Sequence, residues 1–302
     1  MLHLRLLSAA LLISSLVGLM WLDFQLVGFG RPGAWLLPLA LFGAALGTKE
    51  LLALLRCQNL EPSRWATYVG SLFVVAATGV PIYWSHYPEN CSLGRLGLPL
   101  CAMALAICLV FFAEMARYRE PGGVTVRVAL GVFVIGYVGL LMSFLVALRL
   151  FHDNGWGLAA LVSMILVTKM CDTGAYFSGR LVGRHKMTPL LSPKKTWEGA
   201  AGGVLLSVAS SWFFFEIVLP RWFVTDPAPT AWWRWTVYGA LLAVIGMIGD
   251  LAESLVKRDM GQKDASQTLP GMGGVLDVLD SLLFTAPFGL LCWAGGLIGP
   301  RI

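Results

Sequence analysis

Nine long apolar runs, each long enough to cross a lipid bilayer, constrain this chain more than any other feature. A transmembrane helix needs about 20 mostly apolar residues, because the hydrocarbon layer is about 30 Å thick and the backbone rises about 1.5 Å per residue. The runs cover residues 4–22, 34–55, 66–86, 97–116, 126–148, 157–178, 200–219, 236–256 and 277–298. Charged residues make up 13% of the chain, against about 25% in soluble domains. The sequence therefore predicts an all-α integral membrane protein with about nine transmembrane helices.

The first run has a second interpretation, a cleaved secretory signal, because Arg5 precedes its apolar stretch. The run lacks an A-x-A cleavage site and is long for the apolar part of such a signal. We therefore expect a retained membrane span.

The distribution of Lys and Arg predicts the orientation. If the N-terminus is cytoplasmic, fourteen of these residues fall on the cytoplasmic side and six on the opposite side, while Lys49 and Lys169 lie inside spans. Cytoplasmic loops of membrane proteins are enriched in Lys and Arg. We expect a multi-pass protein of the cell (inner) membrane, with its N-terminus in the cytoplasm and its C-terminus on the opposite side.

The two halves of the chain differ in their loops. Before about residue 150 the loops are short, whereas two long cytoplasmic loops at about 179–199 and 257–276 are rich in Gly, Pro, Lys and Asp. We expect residues 1–155 to supply about five supporting spans and a lipid groove. Residues 156–302 are expected to form the catalytic transmembrane part.

Several function classes lack the sequence features that they require. The chain has no interleaved basic and aromatic tract, so we expect no nucleic-acid partner. None of the six cysteines forms a C-x-x-C pair, which disfavours a zinc site or a disulfide framework. The motifs of P-loop enzymes, serine hydrolases and zinc proteases (Walker A, G-x-S-x-G and H-E-x-x-H) are also absent from the sequence.

The eighth span ends in charged residues, in the stretch GDLAESLVKRD. Asp250, Ser254 and Lys257 are spaced so that they share one helix face. Ionised side chains near a bilayer usually face inward and serve a function. The alternative is an internal ion pair that only joins helices, between Lys257 and either Asp250 or Glu253.

The ninth span begins with a second acidic pair, Asp277 and Asp280, after the run LPGMGG. Helix capping accounts for one such carboxylate, but a glycine-rich run also exposes backbone N–H donors to a close ligand. If the last two helices form a hairpin, Asp250, Asp277 and Asp280 converge. Carboxylate oxygens of this kind suit Mg²⁺, which usually keeps water and substrate phosphates among its ligands.

A third charged region, residues 169–199, begins inside the sixth span. Asp172 lies three residues after Lys169, and a purely structural ion pair between them is the alternative to a functional role. The basic loop that follows also satisfies the positive-inside bias, so its charge alone is weak evidence. More specific is SPKKTWEG, residues 192–199, whose Ser, Lys and Thr donors suit phosphate oxygens. Together, the acidic and basic residues predict metal-assisted phosphoryl or nucleotidyl transfer at the cytoplasmic face.

These motifs carry a family resemblance. The segment SLVKRDMGQKDASQTLPGMGGVLDVLDS, residues 254–281, resembles the signature of the phosphatidate cytidylyltransferases, or CDP-diacylglycerol synthases. That signature runs S-x-x-K-R, four residues, K-D, then P-G-H-G-G and D-R-x-D. The blocks CDTGAYFSGRLVGRHK and SPKKTWEGAAGG are similar to two other recurrent blocks of the family, in the expected order. The motif likeness covers about residues 169–281.

The resemblance implies a reaction in which CTP and phosphatidic acid in the bilayer give CDP-diacylglycerol and pyrophosphate, as a step of phospholipid biosynthesis. It implies Mg²⁺, with a monovalent cation such as K⁺ nearby, and it leaves open whether the protein forms a homodimer. The matching positions for metal ligands are Asp250, Asp277 and Asp280. Catalytic or phosphate-handling roles are implied for Ser254, Lys257, Arg258, Lys263 and Asp264. Substrate-side roles are implied for Asp172, Tyr176, Ser192, Lys194, Lys195, Thr196 and Glu198.

Two positions depart from the family pattern. Met272 stands where the family has His, and Val278 stands where it has Arg. Neither replacement can neutralise a phosphate, so a divergent substrate, a weakened enzyme or an inactive relative are alternatives. A relative that acts on another phosphorylated lipid, or a CTP-dependent polyprenol kinase, is a separate alternative. A transporter is a further alternative, although the sequence has no inverted repeat of the kind that transporters often show.

Overall fold

The computed structural model describes residues 2–26, 31–84, 94–224, 230–266, 268–269 and 273–300. Helices dominate these residues, which confirms the predicted all-α class. The α-helices are α1 (Leu2–Gln25), α2 (Leu36–Arg56), α3 (Arg64–Thr78), α4 (Val80–Tyr83), α5 (Gly94–Arg117), α6 (Val124–Val134), α7 (Leu141–Arg149), α8 (Asn154–Leu181), α9 (Trp197–Phe213), α10 (Leu219–Trp222), α11 (Trp232–Asp259) and α12 (Val275–Ala294). Two π-helical segments, Ile135–Leu140 and Phe214–Val218, join α6 to α7 and α9 to α10.

Within the described residues, eight helical stretches are long and apolar enough to cross a membrane. They match eight of the nine predicted spans. The predicted span 66–86 differs, because Gly79 separates α3 from the four-residue helix α4. Pro81 lies in the first turn of α4, where its missing N–H is no loss to a new helix, whereas it would interrupt a continuous one. The predicted orientation of the termini stays a prediction.

Large apolar side chains cover much of the helix surface. Phe112 is 62% exposed, Leu205 71% and Leu291 67%. Such surface is unfavourable in water and is satisfied by lipid. The exposed residues thus agree with the hydropathy of the helices in defining an integral membrane protein.

The predicted loop at 179–199 contains regular structure. Strand β1 (Lys186–Thr188) pairs antiparallel with strand β2 (Ser192–Thr196), with Lys186 opposite Thr196 and Thr188 opposite Ser192. Strand β2 leads directly into α9, whose N-terminus is capped by Thr196. The motif SPKKT is therefore a strand held against a helix N-terminus rather than an irregular loop.

The chain divides into two compact units. The first unit contains residues 1–147 and 259–278, and the second contains residues 148–258 and 279–302. The boundary at 147/148 lies near the predicted division at 155/156. However, the glycine-rich segment 259–278, which the sequence assigned to the catalytic half, belongs to the first unit.

In the second unit, glycines let α8 and α9 approach closely. A Cβ on Gly174 would lie 2.7 Å from the carbonyl oxygen of Gly202, and a Cβ on Gly203 would lie 3.0 Å from that of Cys171. Helix packing at this distance leaves no room for a side chain. The contact fixes the end of α8, which carries Asp172 and Tyr176, beside the hairpin and the start of α9.

Candidate functional site

The second unit contains a cavity of about 450 Å³ between the ends of α8 and α11, the hairpin and the start of α9. Its volume lies in the range of ligand pockets, roughly 300–1,000 Å³. Four basic and two acidic side chains line it, namely Arg180, Lys186, Lys194, Lys195, Asp172 and Asp250. The cavity therefore offers a cationic surface with two carboxylates, which suits a ligand that carries several phosphates.

The hairpin brings Lys195 to Asp250. The Lys195 Nζ lies 2.7 Å from the Asp250 Oδ2, and the two side chains are 22% and 36% exposed. The Asp250 side chain is the more exposed partner, whereas the Lys195 Nζ itself is buried. Both residues line the cavity, so a ligand phosphate that enters it can approach the lysine and a cation can approach the carboxylate.

A second ion pair joins Asp172, which lines the cavity, to Lys169 one turn earlier on α8. The Lys169 Nζ lies 3.3 Å from the Asp172 Oδ2, as the sequence spacing suggested, and it also donates to the Ser281 Oγ at 2.9 Å. Asp280 interacts electrostatically with Lys169, Asp172 and Asp250. Three carboxylates from three helices thus lie in one electrostatic group of the second unit.

Helix α11 carries three further signature residues, Ser254, Lys257 and Arg258. Lys257 forms a buried ion pair with Glu253 at 2.8 Å, which is the structural alternative raised by the sequence. Ser254 Oγ lies 3.5 Å from Asp250 Oδ1, at the limit of a hydrogen bond. Arg258 is exposed and donates from Nε to the carbonyl oxygen of Leu191, in the turn of the hairpin, at 3.3 Å.

The residues of the upstream blocks mainly hold the hairpin. Thr196 Oγ1 accepts the N–H of Gly199 at 3.1 Å, and the Glu198 carboxylate contacts the His185 Nδ1 at 2.5 Å and accepts the N–H of Arg184 at 3.0 Å. Tyr176 is exposed at the cavity, and its hydroxyl accepts from Arg180 at 3.1 Å. Ser192 begins β2. Glu198 therefore supports the hairpin, whereas Lys194, Lys195, Thr196 and Tyr176 line the cavity.

The remaining signature residues lie in the first unit. Asp277 accepts the N–H of Gly274 at 2.5 Å and that of Ala265 at 3.1 Å, so its carboxylate holds backbone at the start of α12. Lys263 and Asp264 are exposed. Val278 is half-buried, and Met272 lies outside the described residues.

The described residues contain no group of three or more His, Cys, Asp or Glu side chains that could hold a metal ion by themselves. Asp250 and Asp280 belong to the second unit and Asp277 to the first, so the three-aspartate metal site stays a prediction. The donor chemistry nevertheless fits Mg²⁺, because Asp172, Asp250 and Asp280 offer only oxygen. Mg²⁺ usually takes one or two carboxylates and completes its shell with water and substrate phosphates.

Sequence reasoning missed several polar residues. Arg180 and Lys186 appeared only as members of a basic loop, and Ser281 was not singled out, although it joins Lys169. Glu50 was also missed. It is only 2% exposed and contacts the glycine-rich segment of the first unit. In the sequence, only the position of Glu50 beside Lys49, near the end of a predicted span, could have pointed to it.

The fold and the site define a multi-pass membrane protein with a cavity in its second unit that is lined by four basic and two acidic side chains. Comparison with known proteins then gives the family. The profile described as "Cytidylyltransferase family" matches residues 4–294. The chain belongs to this family.

The names of individual relatives agree with this family. The chain is 39% identical to the phosphatidate cytidylyltransferase of Brucella suis over 158 residues, which cover 52% of this chain and 53% of the relative. It is 38% identical to the Staphylococcus saprophyticus protein of that name over 237 residues, 78% of this chain and 85% of the relative. It is 30% identical to the Synechocystis protein over 271 residues, 80% and 82%.

The alignments differ in how much of each relative they cover. The matches to the Brucella proteins and to the Haemophilus influenzae protein span about half of those relatives, 46–53% of their length.

Proposed function

We propose that this protein transfers the cytidylyl group of CTP to phosphatidic acid, giving CDP-diacylglycerol and pyrophosphate. The observation that carries the proposal is the cavity of the second unit, with its four basic and two acidic side chains. Family membership and the names of the relatives support the same activity.

The chemistry follows from the charges. An oxygen of the lipid phosphate attacks the α-phosphorus of CTP, a new P–O bond forms, and the bond to the bridging oxygen breaks so that pyrophosphate leaves. Such a reaction depends on positioning and on neutralising charge more than on covalent catalysis. Lys194 and Lys195, on one strand, neutralise the phosphates from one side of the cavity, while Arg180 and Lys186 do so from the other elements that line it.

We further propose that the reaction uses Mg²⁺. Asp250 and Asp280 of the second unit would hold the ion, with Asp172 beside them, while the ligand role of Asp277 remains part of the proposal. When bound, Mg²⁺ would neutralise charge on the transferred phosphate and on pyrophosphate. A monovalent cation such as K⁺ is expected nearby. Lys169 and Lys195 balance the carboxylates when the ion is not bound.

The bilayer location fits the substrates. Phosphatidic acid is a membrane lipid, whereas CTP is soluble and arrives from the cytosol. We propose that the site opens on the cytoplasmic face of the cell (inner) membrane.

Position-specific labelling tests the activity. Purified protein in detergent is incubated with phosphatidic acid, Mg²⁺ and CTP labelled at either the α- or the γ-phosphate. Label from the α-position is expected in the lipid extract, and label from the γ-position in pyrophosphate. A CTP-dependent lipid kinase would instead put the γ-label into the lipid and leave the α-label in soluble CDP, and an inactive relative or a transporter would leave the lipid unlabelled. Either of these results would overturn the proposal.

A further inference from the structure

A buried carboxyl group of the first unit holds the start of α12. Glu50 lies in α2, six residues before the last residue of that helix, and its side chain is 2% exposed. The motif likeness to the cytidylyltransferases begins far later in the chain, at about residue 169. Glu50 therefore lies outside the segments that resemble the family signature.

The contacts of Glu50 all go to the signature segment. Its Oε1 accepts the hydroxyl of Ser266 at 2.6 Å and the N–H of Val275 at 3.0 Å. Its Oε2 accepts the N–H of Leu276 at 2.8 Å. The first N–H groups of a helix have no partner within the helix, so a buried carboxyl group satisfies two of them and also interacts favourably with the helix dipole.

The Glu50 carboxyl group lies so close to Gly274 that a side chain at position 274 would collide with it. A Cβ on Gly274 would lie 2.5 Å from the Glu50 Oε2 and 2.9 Å from the Ser266 Oγ. The second glycine of the G-G pair at 273–274 is thus explained by the close approach of this carboxyl group.

Asp277 is a second carboxylate that binds the backbone of this segment. Its carboxylate accepts the N–H groups of Ala265 and Gly274. Leu269 and Gly273 are also paired by two backbone hydrogen bonds of 2.8 and 3.2 Å. The two ends of the segment are therefore joined by two carboxyl groups, one from the signature itself and one from α2.

We propose that Glu50 is a positioning residue for the cytidylyl transfer. It fixes the backbone of the glycine-rich signature segment from a helix of the N-terminal part, and so sets the place of Asp277 and of the N–H groups beside it. This inference rests on the proposed function. It gives α2 a defined task in the reaction, beyond the general supporting role expected of the first five spans.

The substitution Glu50→Gln tests the inference with little change in size. Gln has one acceptor oxygen, so its NH₂ group must face either the N–H of Leu276 or the donors at Ser266 and Val275, and a buried donor then loses its partner. We expect kcat to fall roughly 10- to 100-fold, as for small misplacements of catalytic groups, with little change in the KM for CTP.

Glu114→Gln is the matched control. Glu114 is also a buried carboxylate of the first unit, 1% exposed, and it also accepts a backbone N–H, that of Ser63. Its other partners are Arg117 and Arg127, away from the signature segment in sequence. We expect this variant to lose thermal stability to a similar or larger extent but to keep its kcat.

Hydrogen exchange gives a readout that does not depend on activity. In Glu50→Gln, the amide that faces the Gln NH₂ group, that of Val275 or of Leu276, should exchange about tenfold faster, as expected for the loss of one hydrogen bond, whereas in Glu114→Gln neither amide should change. Should Glu50→Gln fail to fold, Ser266→Ala removes one of the three contacts and should give the same pattern to a smaller extent.

The outcomes are distinct. If both variants lose kcat only in proportion to lost folded protein, or if the exchange at Val275 and Leu276 is unchanged, Glu50 is not a positioning residue. If the wild-type protein makes no CDP-lipid, the proposed function fails, and the exchange pattern still tests whether Glu50 holds this segment.

Discussion

Two carboxyl groups, one in each unit, are held in opposite ways. Asp250 of the second unit is 36% exposed and is paired with the flexible side chain of Lys195. Glu50 of the first unit is 2% exposed and is held by a hydroxyl and two backbone N–H groups. A lysine can move to a phosphate, whereas backbone at the start of a helix cannot leave its place. The first arrangement suits a group that exchanges partners during a reaction, and the second suits a fixed support.

The same contrast separates other residues of the signature. Lys257 is only 11% exposed and is paired with the buried Glu253, so it resembles a support more than an exchangeable phosphate ligand. Lys194 and Lys195 lie on an exposed hairpin at the cavity. The charged residues therefore fall into two groups, those that can exchange partners and those that act as fixed supports. Substitutions can distinguish the two groups.

The largest effect is expected from Lys195→Ala. Losing a charge that stabilises the transition state lowers kcat about 100- to 1,000-fold. The fold should be retained, because Asp250 is partly exposed and water can replace its lost lysine partner. CDP-lipid formation and the melting temperature are measured together. Arg184→Ala, an exposed position of the same loop that does not line the cavity, should behave as wild type. Equal losses in both variants would contradict a specific role for Lys195.

Asp277→Asn comes next and separates two roles of one carboxylate. An amide oxygen still accepts a backbone N–H at a helix start, so a purely structural role predicts nearly normal turnover. A metal ligand that loses its charge predicts about a 100-fold loss or more. We expect CDP-lipid formation to be abolished in a folded protein, with any residual activity needing more Mg²⁺. Full activity would remove Asp277 from the metal site.

Lys257→Met should act first on stability. Removing one partner of a buried ion pair leaves the other charge uncompensated and costs about 3–5 kcal/mol. The double variant Glu253→Gln with Lys257→Met should recover most of this loss, as measured by thermal unfolding in detergent. If the recovered protein is active, Lys257 is a structural residue. Folded but inactive protein would instead support the phosphate-handling role implied by the family resemblance.

The smallest effect is expected from restoring the family residues, Met272→His with Val278→Arg. If the carboxyl groups and backbone of this segment carry its function, turnover should stay within about threefold or rise. Complete loss of CDP-lipid formation would mean that the segment has been rebuilt around its apolar pair.

Sequence patterns gave the membrane class, eight of the spans, the Lys169–Asp172 pair and the motif positions. These features depend on local spacing, since hydropathy over about 20 residues and a three-residue offset on a helix can be read directly. The broken span at Gly79 was missed because apolar composition continues through the break. The hairpin at 186–196 was missed because its strands are short and polar and are held by contacts to Glu198 and to the start of α9.

The sequence by itself determined that this chain is a helical membrane protein with three charged motifs near its second half. Only the tertiary structure decided which distant groups meet: Lys195 with Asp250, and Glu50 with a segment more than 200 residues later. The reason is physical. Burial in lipid depends on the composition of each helix alone, whereas an ion pair or a cap between distant residues depends on how several helices pack, which no local pattern encodes.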